Sequence, residues 1–138
     1  DELVVANLRA PFFLAQAAAP HLAGARGAIV NIVDIHAERP LKGYPVYSIA
    51  KAGLAALTRS LALELAPAVR VNAVAPGTIA WPEDGQFDAA ERERILATTP
   101  LARTGAPEDI AGAVLCLATA PFVTGQVLAV DGGRSAFL

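Results

Sequence analysis

Two side chains four residues apart, Tyr47 and Lys51, carry the clearest chemical possibility in this sequence. On a helix, residues so spaced lie one above the other on the same face. A phenol with an ordinary pKa of about 10 is a poor proton donor at neutral pH, but a neighbouring ammonium stabilises the phenolate and lowers that pKa. The pair is therefore expected to work as a general acid. The spacing alone is common, yet lysine is scarce here. Lys42 and Lys51 are the two lysines among 11 basic residues, so the surface does not rely on lysine.

The elements that must position this pair follow from the pattern around it. The segment 45–66 starts near Pro45 and carries an apolar stripe at Leu54, Leu57, Leu61 and Leu65, which predicts a helix ended by Pro67. Before it, Ala28 to Val33 is a short, nearly continuous run of Ile and Val, as in a central parallel strand apolar on both faces. Asp34 follows at its carboxyl end, where open α/β sheets bind ligands. His36 lies in the loop beyond and reads first as a solvated histidine, with a substrate contact as the alternative.

Residues 2–23 also read as helical, with Pro11 expected to kink or break the helix. Asn7 sits among the apolar positions just before that proline, and a buried amide there must find hydrogen-bond partners. Val69 to Val74 predicts a second strand, followed by the turn Ala75-Pro76-Gly77-Thr78, whose backbone can approach a flat ligand closely. The turn-rich stretch from about 79 to 105 reads as a lid, with Ala89 to Thr98 as a polar helix inside it. Trp81 there either covers an aromatic ligand or anchors the loop. Pro107 to Thr119 predicts a helix and Val127 to Val130 a third strand. Strands alternating with helices give parallel βαβ units and an α/β class.

Composition narrows the functions. At 138 residues and 54% hydrophobic content, one domain with a packed core is expected. A net charge of −2 without a basic stripe argues against nucleic acid. The longest apolar run, Ile110 to Val123, is interrupted by Thr119 and Pro121, so no membrane span is expected. The acidic start DELVVANLRAPF does not look like a signal peptide, and a cytoplasmic protein is expected. One cysteine and two histidines supply no structural zinc site, and Cys116 reads as a small buried hydrophobe.

Taken in order, ANLRAPFFLAQAAAPHL, GAIVNIVD, Tyr47-Ser48-Ile49-Ala50-Lys51, LALELAPAVRVNAVAPG, PEDIA and VTGQVLAVDGG resemble the C-terminal half of the short-chain dehydrogenase/reductase superfamily. The resemblance implies the C-terminal half of a Rossmann-like, doubly wound parallel sheet. It makes Asn7, Tyr47 and Lys51 catalytic, and it places Tyr47, Lys51, Pro76, Gly77, Thr78 and Ile79 against a nicotinamide cofactor. It also implies a homo-oligomer, a tetramer or dimer, built on the helices 2–23 and 45–66.

One departure from the superfamily pattern sharpens this reading. Where the superfamily usually has serine, thirteen positions before the tyrosine, this chain has Asp34. Together with Pro40 to Tyr44 and the APGxxxWPE segment from Ala75 to Glu83, this resembles pteridine reductases, which use NADPH to reduce dihydropterins and related folates. Asp34, His36, Tyr44 and Trp81 are then expected at the substrate. A carboxyl beside the phenol could relay a proton to ring nitrogen. An ionised Asp34 would raise the pKa of Tyr47, so Lys51 and the cofactor must offset it, or Asp34 must be protonated in part of the cycle.

The superfamily's glycine-rich pyrophosphate turn has no counterpart, since no G-x-G occurs in the sequence. The N-terminal half would therefore be supplied by a longer chain or by a partner, and the choice between NADPH and NADH lies in that half. Three other functions compete. The first is a general ketone reductase, for example of 3-oxoacyl thioesters. The second is a serine acyl enzyme using Ser48-x-x-Lys51, which lacks its S-D-N and K-T-G partners. The third is a truncated chain serving only oligomerisation.

Overall fold

A computed structural model describes residues 1–83 and 85–136. Asp84, inside the expected 79–105 loop, lies outside them. The elements run α1 (Glu2–Val4), a π-helical turn (Val5–Arg9), α2 (Ala10–Ala25), β1 (Ala28–Ile32), α3 (Pro45–Leu65), β2 (Arg70–Pro76), α4 (Ala89–Ala97), α5 (Pro107–Thr119) and β3 (Val127–Val130). Short 3₁₀ turns lie at Ile35–Ala37 and Arg134–Ala136.

The three strands form one parallel sheet in the order β1-β2-β3. The central strand is therefore β2, and β1 lies at an edge of the sheet, where its last residue, Ile32, is 44% exposed. Among the described residues, Ala28 to Val33, read as a central strand from its apolar run, pairs on one side only. Val71 to Ala75 of β2 are all buried because helices cover both faces of this strand. β2 also runs to Pro76, beyond the expected Val74, because pairing with β3 continues to the Pro76–Val130 register.

Asparagines inside both strands are paid for by specific hydrogen bonds. The fully buried Asn72 donates Nδ2 to the Val123 carbonyl at 2.9 Å and accepts from the Gln126 amide at 3.0 Å, tying the α5–β3 connection to the sheet. Asn31 donates to Thr58 Oγ1 at 3.0 Å, and Thr58 returns to the Leu54 carbonyl of its own helix at 2.9 Å. Buried amides without such partners would each cost about 1–3 kcal/mol.

Helix α3 approaches the sheet more closely than its leucine stripe suggests. Ser48, Ala50, Leu54, Ala55, Thr58 and Ala62 are buried, while Leu57, Leu61 and Leu65 pack at the flanks of the core. Small residues line the contact because the helix backbone lies against the strands. On another side, a Cβ at Gly53 would come within 2.7 Å of Leu8 Cδ2, so the N-terminal helical segment seats directly on α3.

Pro11 has no N–H to give the carbonyl four residues earlier, and the chain answers with the widened turn at Val5–Arg9 rather than with a break. The helical path continues to Ala25, past the expected residue 23. Cys116 is exposed, contrary to expectation, because α5 turns the adjacent Leu117 inward instead. No helix among the described residues is long and apolar enough to cross a membrane.

Candidate active site

Parallel strands bring their carboxyl ends to one edge of the sheet, and the chain's candidate chemistry collects there. Asp34 follows β1, the Pro76–Ile79 turn closes β2, and Asp131 follows β3. A cleft of about 480 Å³ opens at this edge and includes Asp34, His36, Tyr44, Tyr47, Gly77, Thr78, Ile79 and Trp81 in its walls.

At its centre Tyr47 donates its hydroxyl to Asp34 Oδ2 at 2.8 Å. The other carboxylate oxygen, Oδ1, accepts the backbone N–H of His36 at 2.8 Å, which fixes the carboxylate at the start of the 3₁₀ turn. Lys51 stands one turn along α3 from Tyr47. Its Nζ lies 5.7 Å from the centroid of the Tyr47 ring and donates to the Ile32 carbonyl at 3.0 Å. The ammonium therefore bonds the end of β1, not the phenol oxygen.

This geometry reverses one expectation. The pKa of Tyr47 is raised well above its ordinary value, first by burial, then by its hydrogen bond to Asp34 and the charge of that carboxylate. Burial lowers the pKa of Lys51, with the Asp34 charge working the other way. At neutral pH Tyr47 therefore holds its proton and donates it in the hydrogen bond to Asp34.

The Pro76–Ile79 turn sits flush against the end of β3. A Cβ on Gly77 would stand 2.7 Å from Asp131 Cβ and 2.8 Å from Asp131 Cα, so only glycine fits. Gly77 N–H donates to the Val130 carbonyl at 3.0 Å, and Thr78 accepts from Gly105 at 2.9 Å. The Asp131 carboxylate, in turn, takes the N–H groups of Gly133 at 2.9 Å and Ser135 at 2.7 Å.

The remaining predicted residues divide. Tyr44 precedes the first turn of α3 and its hydroxyl accepts from the Gln86 amide, which links α3 to the loop that follows β2. Trp81 anchors the loop, one of the two alternatives foreseen for it. It lines the cleft, and it is anchored by Phe87 at 5.9 Å between ring centroids and by the Arg92 guanidinium at 5.3 Å. His36 lines the cleft too, with Nδ1 held 2.7 Å from the Arg39 carbonyl.

Asn7 does not join them. Its amide donates to the Leu3 carbonyl at 3.0 Å within the π-helical turn, and it is half-buried rather than buried. Gln86, Phe87, Ile95 and Arg134 line the cleft without having been foreseen. Arg134 carried a signal all the same, since it stands just past the carboxyl end of β3, the same position rule that singled out Asp34 after β1.

Residues 1–135 match the family model described as enoyl-(acyl carrier protein) reductase. A protein named as ketoacyl reductase 2 of the granaticin polyketide synthase, from Streptomyces violaceoruber, is 50% identical over 120 residues, covering 85% of this chain and 48% of that protein. Pteridine reductase 1 of Leishmania tarentolae is 40% identical over 145 residues, covering 97% of this chain and 50% of its own length. Among solved structures, one from Agrobacterium tumefaciens described as a 2-deoxy-D-gluconate 3-dehydrogenase with bound NADP superposes with a TM-score of 0.87 at 42% identity, covering 94% of this chain and 56% of that one. The chain thus spans about half the length of the relatives it matches.

Proposed function

The chain belongs to the short-chain dehydrogenase/reductase superfamily, and from that premise we propose that it forms the catalytic half of an NADPH-dependent reductase acting on the ring C=N bonds of pterins or dihydrofolate-type substrates. The observation that carries this reading is the 2.8 Å hydrogen bond between Tyr47 and Asp34, at a position where the superfamily usually has serine. A neutral serine suffices beside a ketone. A ketone and a ring C=N both take one proton on reduction, but a pterin also presents further ring nitrogens, to which a carboxyl beside the phenol can relay or orient a proton.

The residues present fit the nicotinamide end of the cofactor. The Lys51 ammonium spends one N–H on the Ile32 carbonyl and makes no other hydrogen bond to a described residue, which leaves donors for a ribose hydroxyl. Thr78 and Ile79 present the flat turn along the cleft wall. When bound, NADPH supplies the hydride for the ring carbon. Tyr47 gives its proton to the adjacent ring nitrogen, and Asp34 orients the hydroxyl and returns a proton to it from solvent, so that one hydride and one proton are added across the bond. Trp81 and Tyr44 flank the planar ring, and His36 closes the near side. Asn7 is assigned a catalytic role by its match to the superfamily motif alone.

The same reading makes the protein a cytoplasmic homotetramer. Phe13, Leu14, Ile49 and Leu63 on α2 and α3 are between 53% and 82% exposed, an apolar surface suited to a second copy. A second activity, reduction of a ketone such as a 3-oxoacyl thioester, is favoured by the 50% identity to the granaticin ketoacyl reductase. Purified full-length protein assayed by NADPH oxidation against a dihydropterin and a 3-oxoacyl thioester separates the two. The pterin reading requires the higher kcat/KM on the pterin, and it fails if the thioester alone is turned over.

A further inference from the structure

The cleft contains a cation that the reduction step does not use. Arg134, on the 3₁₀ turn after β3, lines the same cleft as Asp34 and Tyr47. We propose that Arg134 is a specificity residue that binds a carboxylate on the substrate, remote from the bond being reduced. The proposal deepens the reductase reading and rests on it in taking this cleft as the substrate site.

The guanidinium is held in place but makes no ion pair with a described residue. Nη1 donates to the Ile95 carbonyl at 2.8 Å and to Thr98 Oγ1, which pins the side chain against α4. Nη2 and Nε make no hydrogen bond to a described residue, and Arg134 is in neither ion pair found among the described residues. The nearest acid in sequence, Asp131, has committed its oxygens to the Gly133 and Ser135 amides.

The cation is half-buried, and its pKa is lowered by burial and then by the neighbouring Arg94, against the opposing pull of Asp131. A fixed, partly desolvated guanidinium in the wall of a cleft, with N–H groups not bonded to described residues, is suited to an anion. A planar fork of donors matches the two oxygens of a carboxylate.

Sheet order sets the geometry of recognition. Asp34 follows β1 and Arg134 follows β3, with β2 between them, so the two groups enter the same cleft from different strand ends. Tyr44 and Trp81 line the same cleft. The substrate implied has a planar ring at Tyr47 and an acidic tail reaching towards Arg134.

The test uses the full-length protein with saturating NADP⁺, so that no turnover occurs, and measures Kd by calorimetry for pteroate and for its carboxamide. Wild type is expected to favour the carboxylate by about ten- to hundred-fold, the worth of a charge-assisted hydrogen bond. Arg134→Gln should erase that ratio while leaving carboxamide and NADP⁺ affinity unchanged, and Arg134→Lys should keep part of it. If Arg134→Gln weakens both ligands equally, the residue only braces α4 and the proposal is wrong. It is equally wrong if wild type shows no preference, or if the variant loses NADP⁺ affinity instead. Should wild type bind neither pterin, the pterin reading itself fails, and the comparison is repeated with 4-acetylbenzoate and 4-acetylbenzamide, ketones for which the same ratios decide the Arg134 assignment.

Discussion

Tyr47 directs its hydroxyl hydrogen to Asp34 at 2.8 Å, while Lys51, four residues on, bonds the Ile32 carbonyl instead of the phenol. On the proposed reading the acid is the Tyr47 phenol oriented by the Asp34 carboxylate, and Lys51 keeps donors for a neighbouring ligand. Tyr47→Phe should lower kcat of the full-length enzyme by about 10² to 10⁴ while leaving the Kd for NADPH nearly unchanged, because only the transferable proton is lost. Stopped-flow turnover and cofactor titration check it. A loss of less than about tenfold would remove Tyr47 from the acid role.

The raised pKa of Tyr47 also has a consequence for stability. Burial, followed by the hydrogen bond and charge of Asp34, disfavours the phenolate in the folded protein. A group whose pKa is raised on folding contributes fully below its unfolded value, about 10 for tyrosine, and that contribution is lost as pH climbs towards the folded value. The urea midpoint of wild type should therefore fall between about pH 9 and pH 11, and that of Tyr47→Phe should fall less. Parallel curves for the two proteins would mean that Tyr47 titrates as an exposed phenol.

Gly77→Ala tests the turn proposed to face the cofactor. The added Cβ would meet Asp131 Cβ at 2.7 Å and its Cα at 2.8 Å, and neither is the free end of a flexible chain. Overpacking of this kind costs about 1–3 kcal/mol. Urea unfolding should show a lower midpoint at an unchanged m-value, together with a raised KM for NADPH. An unaltered midpoint would mean that the turn yields easily.

Much of this arrangement was legible before any coordinates. The three strands and α3 and α5 announce themselves through Val- and Ile-rich runs, helical periodicity and proline positions, and Asp34, Tyr47 and Lys51 follow from position and spacing. What escaped is what tertiary distance decides. The leucines of α3 mark its apolar side, but the closest approach to the sheet falls on Ala50, Ala55, Thr58 and Ala62, which no periodicity scale favours. The lysine's preference for a strand carbonyl over the phenol is invisible in a four-residue spacing. The lid residues Gln86, Phe87 and Ile95 come together only when the 79–105 excursion folds over the strand ends.

The apolar surfaces of α2 and α3 predict self-association. Phe13, Leu14, Ile49 and Leu63 should be protected in an assembly of the full-length protein, and light scattering at micromolar concentration should give a tetramer. Substituting Ile49 and Leu63 with aspartate should shift it towards smaller species. A monomer in the unmodified protein would contradict the proposed interface.

Substrate class turns on Asp34, and Asp34→Ser is the most direct measurement of it. Both a pterin and a simple ketone need hydride delivery and the Tyr47 proton, but only the pterin presents ring nitrogens to the carboxylate that holds the phenol. The full-length variant should lose about ten- to hundred-fold in kcat/KM on a dihydropterin, corresponding to about 1.5–3 kcal/mol for one charge-assisted hydrogen bond. Its residual activity on a ketone should change little, serine being the superfamily's ordinary residue there. Equal loss on both substrates, or a wild type that ignores pterins while reducing 3-oxoacyl thioesters well, would contradict the pterin assignment.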